Sequence, residues 1–229
     1  MEILSGRSKH KYLGKTLVGD RRHRAEVELG HRLQVTWAKF HKHRHVLTNK
    51  HVALKLRLKF FDSVLSPTVL FGLATLPLSK SQLQRLDVTQ RKMLRTIVGW
   101  VAVDSTDWKT TMQRMNEKLD AALRLYPISL WSDAVFRKQF RLSARVCRHL
   151  ERWPAAATFW NPPDNAEGYF TNQPFRKRGR PQVRWDDNLR KFGEMQFQQK
   201  TWSIPARHTA LWRSFENEYV QFCRETFAL

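Results

Sequence analysis

Cysteine is scarce in this chain, with only Cys147 and Cys223 among 229 residues. Two cysteines cannot form a disulfide scaffold or a four-thiolate zinc site, so we expect both to be buried free thiols. No run of about 18 apolar residues is present, and we therefore expect no membrane-spanning helix. Residues 1–15 also lack the apolar stretch that a secretory signal requires.

Patterns that would hold a metal ion are incomplete. His41 and His45 are four residues apart and could share one face of a helix. No cysteine or acidic residue lies nearby to complete a site, and Lys42 and Arg44 would repel a cation. A solvated basic face is the favoured interpretation, and we expect neither a metal ion nor another cofactor.

Signatures of catalysis are missing too. The sequence has no glycine-rich phosphate loop and no Gly-x-Ser-x-Gly elbow. Asp186 and Asp187 are its one adjacent carboxylate pair, and they lie among Arg184, Arg190 and Lys191. Ion pairing explains this pair better than acid–base chemistry. The sequence therefore predicts a protein that is not an enzyme.

Positive charge is abundant and uneven. Lys and Arg number 41 against 20 Asp and Glu, which gives a net charge of +21. Residues 1–60 hold 15 Lys and Arg, four acids and seven of the nine histidines, and two further basic runs cover 134–152 and 176–190. A folded chain tolerates such self-repulsion best beside a polyanion. With nine Trp and 14 Phe the chain is too aromatic for a disordered tail, so a folded nucleic-acid-binding protein is predicted.

Hydrophobic spacing predicts a mainly α fold. Residues 9–18 are typical of a short strand or hairpin with a turn at Gly19 and Asp20. Helical spacing begins at Arg24. Residues 54–60 fit either a strand or a helix, and the apolar continuation to residue 65 favours a helix that Pro67 breaks or kinks.

Further helices are predicted downstream. Ser79 with Gln82 forms a capping-box pattern for a helix that ends at Gly99. Ser105 can cap the next helix, and residues 131–152 predict another. The predicted buried stripe between these points contains Trp108, Met112, Met115, Leu119, Ala122 and Tyr126. A last helix is capped by Ser203, and its predicted buried face contains Leu211, Trp212, Phe215, Tyr219 and Phe222.

The chain divides into four predicted parts. Residues 1–20 form the strand or hairpin, and 21–152 form a helical bundle. Residues 153–202 form a basic, loop-rich linker, since proline, asparagine and aromatic residues without a period fill its first part. Residues 203–229 form the C-terminal helix.

Two basic segments are candidate nucleic-acid contacts. Arg137, Arg141, Arg145 and Arg148 recur every three or four residues, which places a basic stripe on one helix. A phosphate-facing role and a solvated face both remain open for this stripe. Arg178 and Arg180 lie in an Arg-Gly-Arg-Pro segment that resembles the core of an AT-hook, which enters the narrow A·T minor groove. Short basic runs of this kind also serve as nuclear-import signals.

The order of several motifs resembles the C-terminal region of reverse transcriptases from non-LTR (LINE-type) retrotransposons, over nearly the whole chain from about residue 9. The motifs are Lys11-Tyr12-Leu13-Gly14, a basic helix over 26–40, Val69-Leu-Phe-Gly-Leu73, Arg91-Lys-Met-Leu-Arg95-Thr-Ile-Val-Gly99-Trp100, Arg184-Trp185-Asp186-Asp187 after the Arg-Gly-Arg-Pro segment, and Trp212-Arg213. In that family the Tyr-Leu-Gly strand closes the palm and the following helices form the thumb, which grips the template–primer duplex.

The resemblance implies that six basic residues belong to a thumb helix near the nucleic-acid backbone. They are Arg22, Arg24, Arg32, Lys39, Lys42 and Arg44. It also implies a fragment without polymerase activity of its own, because the aromatic-x-Asp-Asp turn of the palm is missing from the ten residues before Lys11. Two catalytic metal ions need several converging carboxylates. A separate chain would have to supply a palm.

Three functions follow from these observations. The first is a retroelement fragment that holds the backbone of RNA, DNA or an RNA–DNA duplex. The second is a chromatin-type protein that uses Arg178 and Arg180 as a minor-groove hook. The third is a helical scaffold that docks a protein partner. None of the three involves a membrane.

Overall fold

The computed structural model describes residues 9–18, 23–99, 107–149, 151–152, 184–198 and 202–229. Within these ranges the protein is mainly α, as predicted, with an N-terminal hairpin followed by ten α-helices. The helices are α1 Arg24–Lys42, α2 Arg44–Leu47, α3 Leu54–Val69, α4 Lys80–Val98, α5 Trp108–Leu125, α6 Trp131–Arg148, α7 Asp187–Phe197, α8 Ser203–Arg207, α9 Thr209–Ser214 and α10 Glu216–Phe227, with a 3-10 turn at Leu73–Thr75 between α3 and α4.

The N-terminal hairpin pairs β1, Lys9–Tyr12, with β2, Lys15–Val18, in antiparallel register. Its turn lies at Leu13 and Gly14, whose φ angles are 47° and 76°. The prediction was a short strand or a hairpin, and the structure confirms the hairpin. The predicted turn at Gly19 and Asp20 lies outside the described ranges. Glycine at position 14 allows the tight reversal because it has no Cβ to clash at positive φ.

Helix α3 confirms the helical interpretation of residues 54–60. Leu58, Phe61, Leu65 and Val69 are fully buried. Of the two predicted effects of Pro67, a break or a kink, the break does not occur, since the helix continues through it to Val69. A proline removes only one amide donor, and here it lies in the last turn, where little of the helix remains to be disrupted.

Helix α4 begins and ends where its capping residues predict. The Ser79 hydroxyl accepts the Gln82 amide at 3.4 Å, and the Gln82 side chain accepts the Ser79 amide at 2.9 Å. Gly99 follows the helix with a φ of 95°. Helix α5 begins after Asp107, and Ser105 lies outside the described ranges. Trp108 was expected to be buried but is 68% exposed, because the buried face of this helix begins at Thr111.

Helix α6 lies at the centre of the fold and packs against α4, α8 and α10. The Trp131 ring stacks on Phe61 at 5.9 Å, and its indole donates to the Ser66 hydroxyl at 3.0 Å. At the other side Phe140 stacks on Trp212 at 4.4 Å. Aromatic rings from α3 and α9 therefore meet rings of this one helix.

The C-terminal part differs from the prediction. Residues 203–229 form three helices instead of one, because His208 and Phe215 leave the helical conformation. The breaks allow Trp212 and Tyr219 to pack together on Phe140. As a consequence Leu211, expected to be buried, is 48% exposed. Helix α7 also lies within the predicted linker, where Leu189 and Phe192 bury its inner face.

Candidate nucleic-acid interface

A helical corner at the end of α1 carries a concentration of positive charge. We define this corner as residues 41–59, which include the last turn of α1, all of α2 and the first turns of α3. Between Glu28 and Asp62 the sequence contains no acidic residue. Within this segment, therefore, no carboxylate reduces the attraction of the corner for an anion.

Five cations of the corner are exposed, namely Lys42, Arg44, Lys50, Lys55 and Lys59. Among the described residues, none of the five forms an ion pair. His41, His45 and His51 are exposed beside them. Such a group has its full charge available to a phosphate backbone.

Buried contacts hold the corner in shape. Arg57 is 9% exposed, and its guanidinium donates to the carbonyls of Val52, Leu47 and Ile97 at 3.0, 3.3 and 2.7 Å. These bonds tie the loop after α2 and the end of α4 to α3. The His43 ring packs edge-on against Phe60 at 5.3 Å, which joins α2 to α3. The exposed cations are therefore mounted on a fixed support.

The six cations that the resemblance placed on a thumb helix have different surroundings in the structure. Arg24, Lys42 and Arg44 are exposed, whereas Lys39 is half-buried and donates to the Thr68 hydroxyl at 3.0 Å. Arg32 departs from the prediction, because it is 7% exposed and its guanidinium is used inside the fold. Arg22 lies outside the described residues.

Arg32 is enclosed by three partners. It pairs with the buried Glu28 carboxylate at 2.7 Å, donates to the Gly14 carbonyl, and lies 4.6 Å from the centre of the Phe71 ring. The other Glu28 oxygen accepts the Thr16 amide at 2.7 Å. Arg32 and Glu28 therefore attach the hairpin to α1, and we leave Arg32 out of the interface.

The basic stripe of α6 is partly exposed. Arg145 and Arg148 are exposed, as is Lys138, which the sequence analysis did not select. Arg141 is exposed but forms a two-point ion pair with Glu216, at 2.7 Å for both contacts. Arg137 is half-buried, and its Nε is enclosed without a hydrogen-bond partner. The stripe thus offers Lys138, Arg145 and Arg148, which lie three, four and seven residues from Arg141.

The motif Arg184-Trp185-Asp186-Asp187 has a structural role, because its two carboxylates bind groups of the protein itself. Asp186 is buried and accepts from Arg190 Nε at 2.9 Å and from the Trp202 indole at 3.3 Å. Asp187 accepts the Arg184 amide at 2.7 Å. The pair thus starts α7, consistent with the ion-pairing interpretation. Arg178 and Arg180 lie outside the described residues.

Sequence reasoning missed Lys50, Lys55 and Lys59, which the structure brings to the same corner as Lys42 and Arg44. The signal that could have found them was the acid-free run from residue 29 to residue 61. A count of cations could not identify the exposed lysines of this run, because the run also contains Arg32 and Arg57, which are buried.

Metal-binding and reactive groups are few in the described part of the chain. No three His, Cys, Asp or Glu side chains there come together in a way that could hold a metal ion. Cys147 and Cys223 are buried free thiols, and burial raises the pKa of each to about 12. None of the described helices combines the length and hydrophobicity needed to cross a membrane.

Comparison with protein-family models, with curated proteins and with solved structures finds no match to this chain.

Proposed function

We propose that this protein binds a nucleic-acid duplex through its phosphate backbone, with the helical corner as the principal contact. The observation that carries the proposal is the set of five exposed, unpaired cations on an acid-free segment. Phosphate contacts of this kind supply affinity without reading sequence.

The surface of the corner favours phosphate contact over base stacking. Within residues 41–59, all of which the structure describes, Leu56 is the only large hydrophobic side chain that is strongly exposed. Proteins that hold single strands stack the bases on exposed aromatic rings. A corner with exposed ammonium groups and no exposed Phe, Tyr or Trp is better suited to a duplex, whose bases are already stacked.

The stripe of Lys138, Arg145 and Arg148 on α6 is a second proposed contact. These side chains are exposed, and none of them forms an ion pair within the described part of the chain. Arg141 contributes less, because Glu216 already neutralises its charge. A second contact would add to the number of phosphates held.

At a finer level we propose that the chain is the thumb and linker region of a non-LTR retroelement reverse transcriptase. The support is the order of its sequence motifs, from Tyr12-Leu13-Gly14 to Trp212-Arg213. In this proposal the chain grips an RNA–DNA template–primer duplex.

A salt titration tests the binding proposal. A labelled RNA–DNA duplex is titrated with the full chain over a series of salt concentrations, and the logarithm of the binding constant is plotted against the logarithm of salt concentration. Five phosphate contacts predict a slope of about −4.5. Changing Lys50, Lys55 and Lys59 together to Glu should reduce the magnitude of the slope by about 2.7, whatever the α6 stripe contributes.

The matched control changes Lys80, Lys109 and Lys191 together to Glu. These lysines are exposed on α4, α5 and α7, and the net charge falls by the same amount. The control should bind with nearly the wild-type slope. If both triple variants weaken binding equally, overall charge and not the corner holds the duplex. A slope near zero for the wild-type protein would refute the proposal altogether.

The minor-groove alternative predicts a different result. A hook at Arg178 and Arg180 would favour A·T-rich duplex over G·C-rich duplex, and Arg180→Ala would remove that preference. Contact through the corner predicts equal affinity for both duplexes, and little effect of Arg180→Ala beyond that of one charge.

A further inference from the structure

An open groove of about 530 Å³ lies between α7 and α10, and none of the proposed nucleic-acid contacts lines it. Phe192 and Met195 of α7 and Phe222 of α10 form its apolar floor, and Glu218, Gln221 and Glu225 of α10 line its edge. The groove is therefore apolar at the bottom and acidic at the rim.

The apolar floor combines a buried aromatic ring, Phe192, with an exposed flexible side chain, Met195. Phe192 is 1% exposed, and its ring centre lies 5.3 Å from that of Tyr219 and 5.6 Å from that of Phe222. Met195 is 58% exposed. Because the buried aromatic rings are already packed, a ligand would spend no binding free energy on ordering them. The flexible thioether of Met195 can fit against different side chains.

The acidic rim is unusual for a chain of net charge +21. Among the residues that the structure describes, no lysine or arginine lines the groove. Within the described part of the chain, neither Glu218 nor Glu225 has a cation within ion-pair distance. The Glu225 carboxylate accepts the Gln221 side-chain amide at 2.8 Å. Two carboxylates with no ion-pair partner among the described residues thus lie beside an apolar floor, on a molecule with an excess of cations.

We propose that this groove binds a basic amphipathic helix of a partner protein. Amphipathic helices place an apolar stripe in such grooves, and the rim selects the charge of the flanking residues. Glu218 and Glu225 are seven residues apart, which is two turns or about 10.5 Å along α10. A helix lying along α10 would meet both with Lys or Arg residues seven positions apart. This inference does not depend on the proposed nucleic-acid function.

A pair of designed peptides tests the proposal. Each is a labelled amphipathic helix with leucine at core positions and either lysine or glutamate elsewhere, and binding to the full chain is followed by fluorescence anisotropy at about 150 mM salt. A net charge of +21 would by itself attract the Leu/Glu peptide and repel the Leu/Lys peptide. We expect the opposite order, with the Leu/Lys peptide bound at least tenfold more tightly, because screening leaves only the local contacts.

Charge reversal in the groove gives the second readout. Glu225→Lys should weaken binding of the Leu/Lys peptide about tenfold. The matched control is Glu117→Lys on α5, because Glu117 is also exposed and accepts the amide of a glutamine four residues earlier, at 3.2 Å. Neither change should reduce duplex binding, so loss of peptide binding and loss of duplex binding are distinguishable.

Three results with the peptides would overturn the proposal. They are tighter binding of the Leu/Glu peptide, equal effects of the two Glu→Lys changes, and no binding of either peptide. Concentration-dependent dimerisation that Met195→Ser abolishes would instead identify a second copy of this chain as the occupant, and would also overturn it. Far-ultraviolet circular dichroism confirms that each variant is folded.

Discussion

Asp87 of α4 caps the first turn of α6. Its Oδ1 accepts the Ser132 amide at 2.9 Å, and its Oδ2 accepts the Ser132 hydroxyl at 2.6 Å. Gln90, one turn further along α4, accepts the Trp131 amide at 2.9 Å. The free amides that begin the central helix are thus satisfied by side chains from another helix.

This cap predicts an unusual dependence of stability on pH. Burial raises the pKa of Asp87, although hydrogen bonds from Ser132 oppose the shift, and burial likewise raises the pKa of Asp133. An acid with a raised pKa in the folded state destabilises the fold while it is ionised. Its contribution therefore becomes more favourable as pH falls through the folded-state pKa toward the ordinary value of 3.8.

Asp87→Asn should isolate this effect, because asparagine can keep the hydrogen bond to the Ser132 amide without a charge. In urea unfolding, we expect the variant to gain most relative to wild type near neutral pH, and the gain to vanish below the ordinary aspartate pKa. Asp87→Ala should lose about 1–2 kcal/mol at neutral pH, because the cap is lost. A pH-independent gap between Asp87→Asn and wild type would contradict the assignment.

The buried Arg57 predicts a large effect for a basic residue. Arg57→Met should lower the free energy of unfolding by about 2–4 kcal/mol, since three carbonyls lose their donor. Arg95→Met is the control, because among the described residues the Arg95 guanidinium donates only to the Asn116 side chain, at 3.2 and 2.8 Å. We expect a loss of about 1 kcal/mol or less there. Equal losses in chemical denaturation would mean that Arg57 does not hold the corner.

The ion pair of Arg141 with Glu216 should contribute modestly. Arg141 is 63% exposed and Glu216 is 14% exposed, and the two-point geometry orders both side chains. A double-mutant cycle with Arg141→Met and Glu216→Gln should give a coupling energy of about 0.5–1 kcal/mol. A coupling of zero in thermal or urea unfolding would show that the pair does not fix α10 to α6.

Two glycines in helices predict opposite effects. A Cβ at Gly193 would lie 3.1 Å from Trp202 Cβ and 3.2 Å from Trp202 Cα, so Gly193→Ala should destabilise the protein by about 1–3 kcal/mol. A Cβ at Gly30 in α1 would meet nothing within 4 Å, so Gly30→Ala should stabilise by about 0.5–1 kcal/mol. The two melting temperatures should shift in opposite directions, and a shared direction would contradict the packing at Trp202.

Sequence patterns predicted the helix ends correctly where residues within one turn of the end determine it. The capping box at Ser79 and the terminal Gly99 bound α4 because both act within a few residues of the helix end. The apolar residues of α3 likewise predicted a helix across an ambiguous stretch. Trp108 and Leu211 were misjudged, because periodicity shows a stripe but not how much of it another element covers.

For the candidate site, composition predicted a nucleic-acid partner, which stays a prediction, and the resemblance selected Lys42 of α1 and Arg44 of α2. The sequence could not separate these from Arg32 and Arg57, since all four are arginine or lysine in one basic stretch. Burial distinguishes them, and burial depends on residues as distant as Gly14, Phe71 and Ile97. The groove between α7 and α10 was likewise unpredicted, because two separate segments form it.

By itself the sequence determined a mainly helical, strongly basic protein, since helix spacing, caps and net charge are properties of neighbouring residues and of composition. Only the tertiary structure decided which cations face solvent and which serve as internal donors. It also decided where two unpaired glutamates meet an apolar floor. The physical reason is that exposure and pairing arise from contacts between segments far apart in the chain, which no local pattern records.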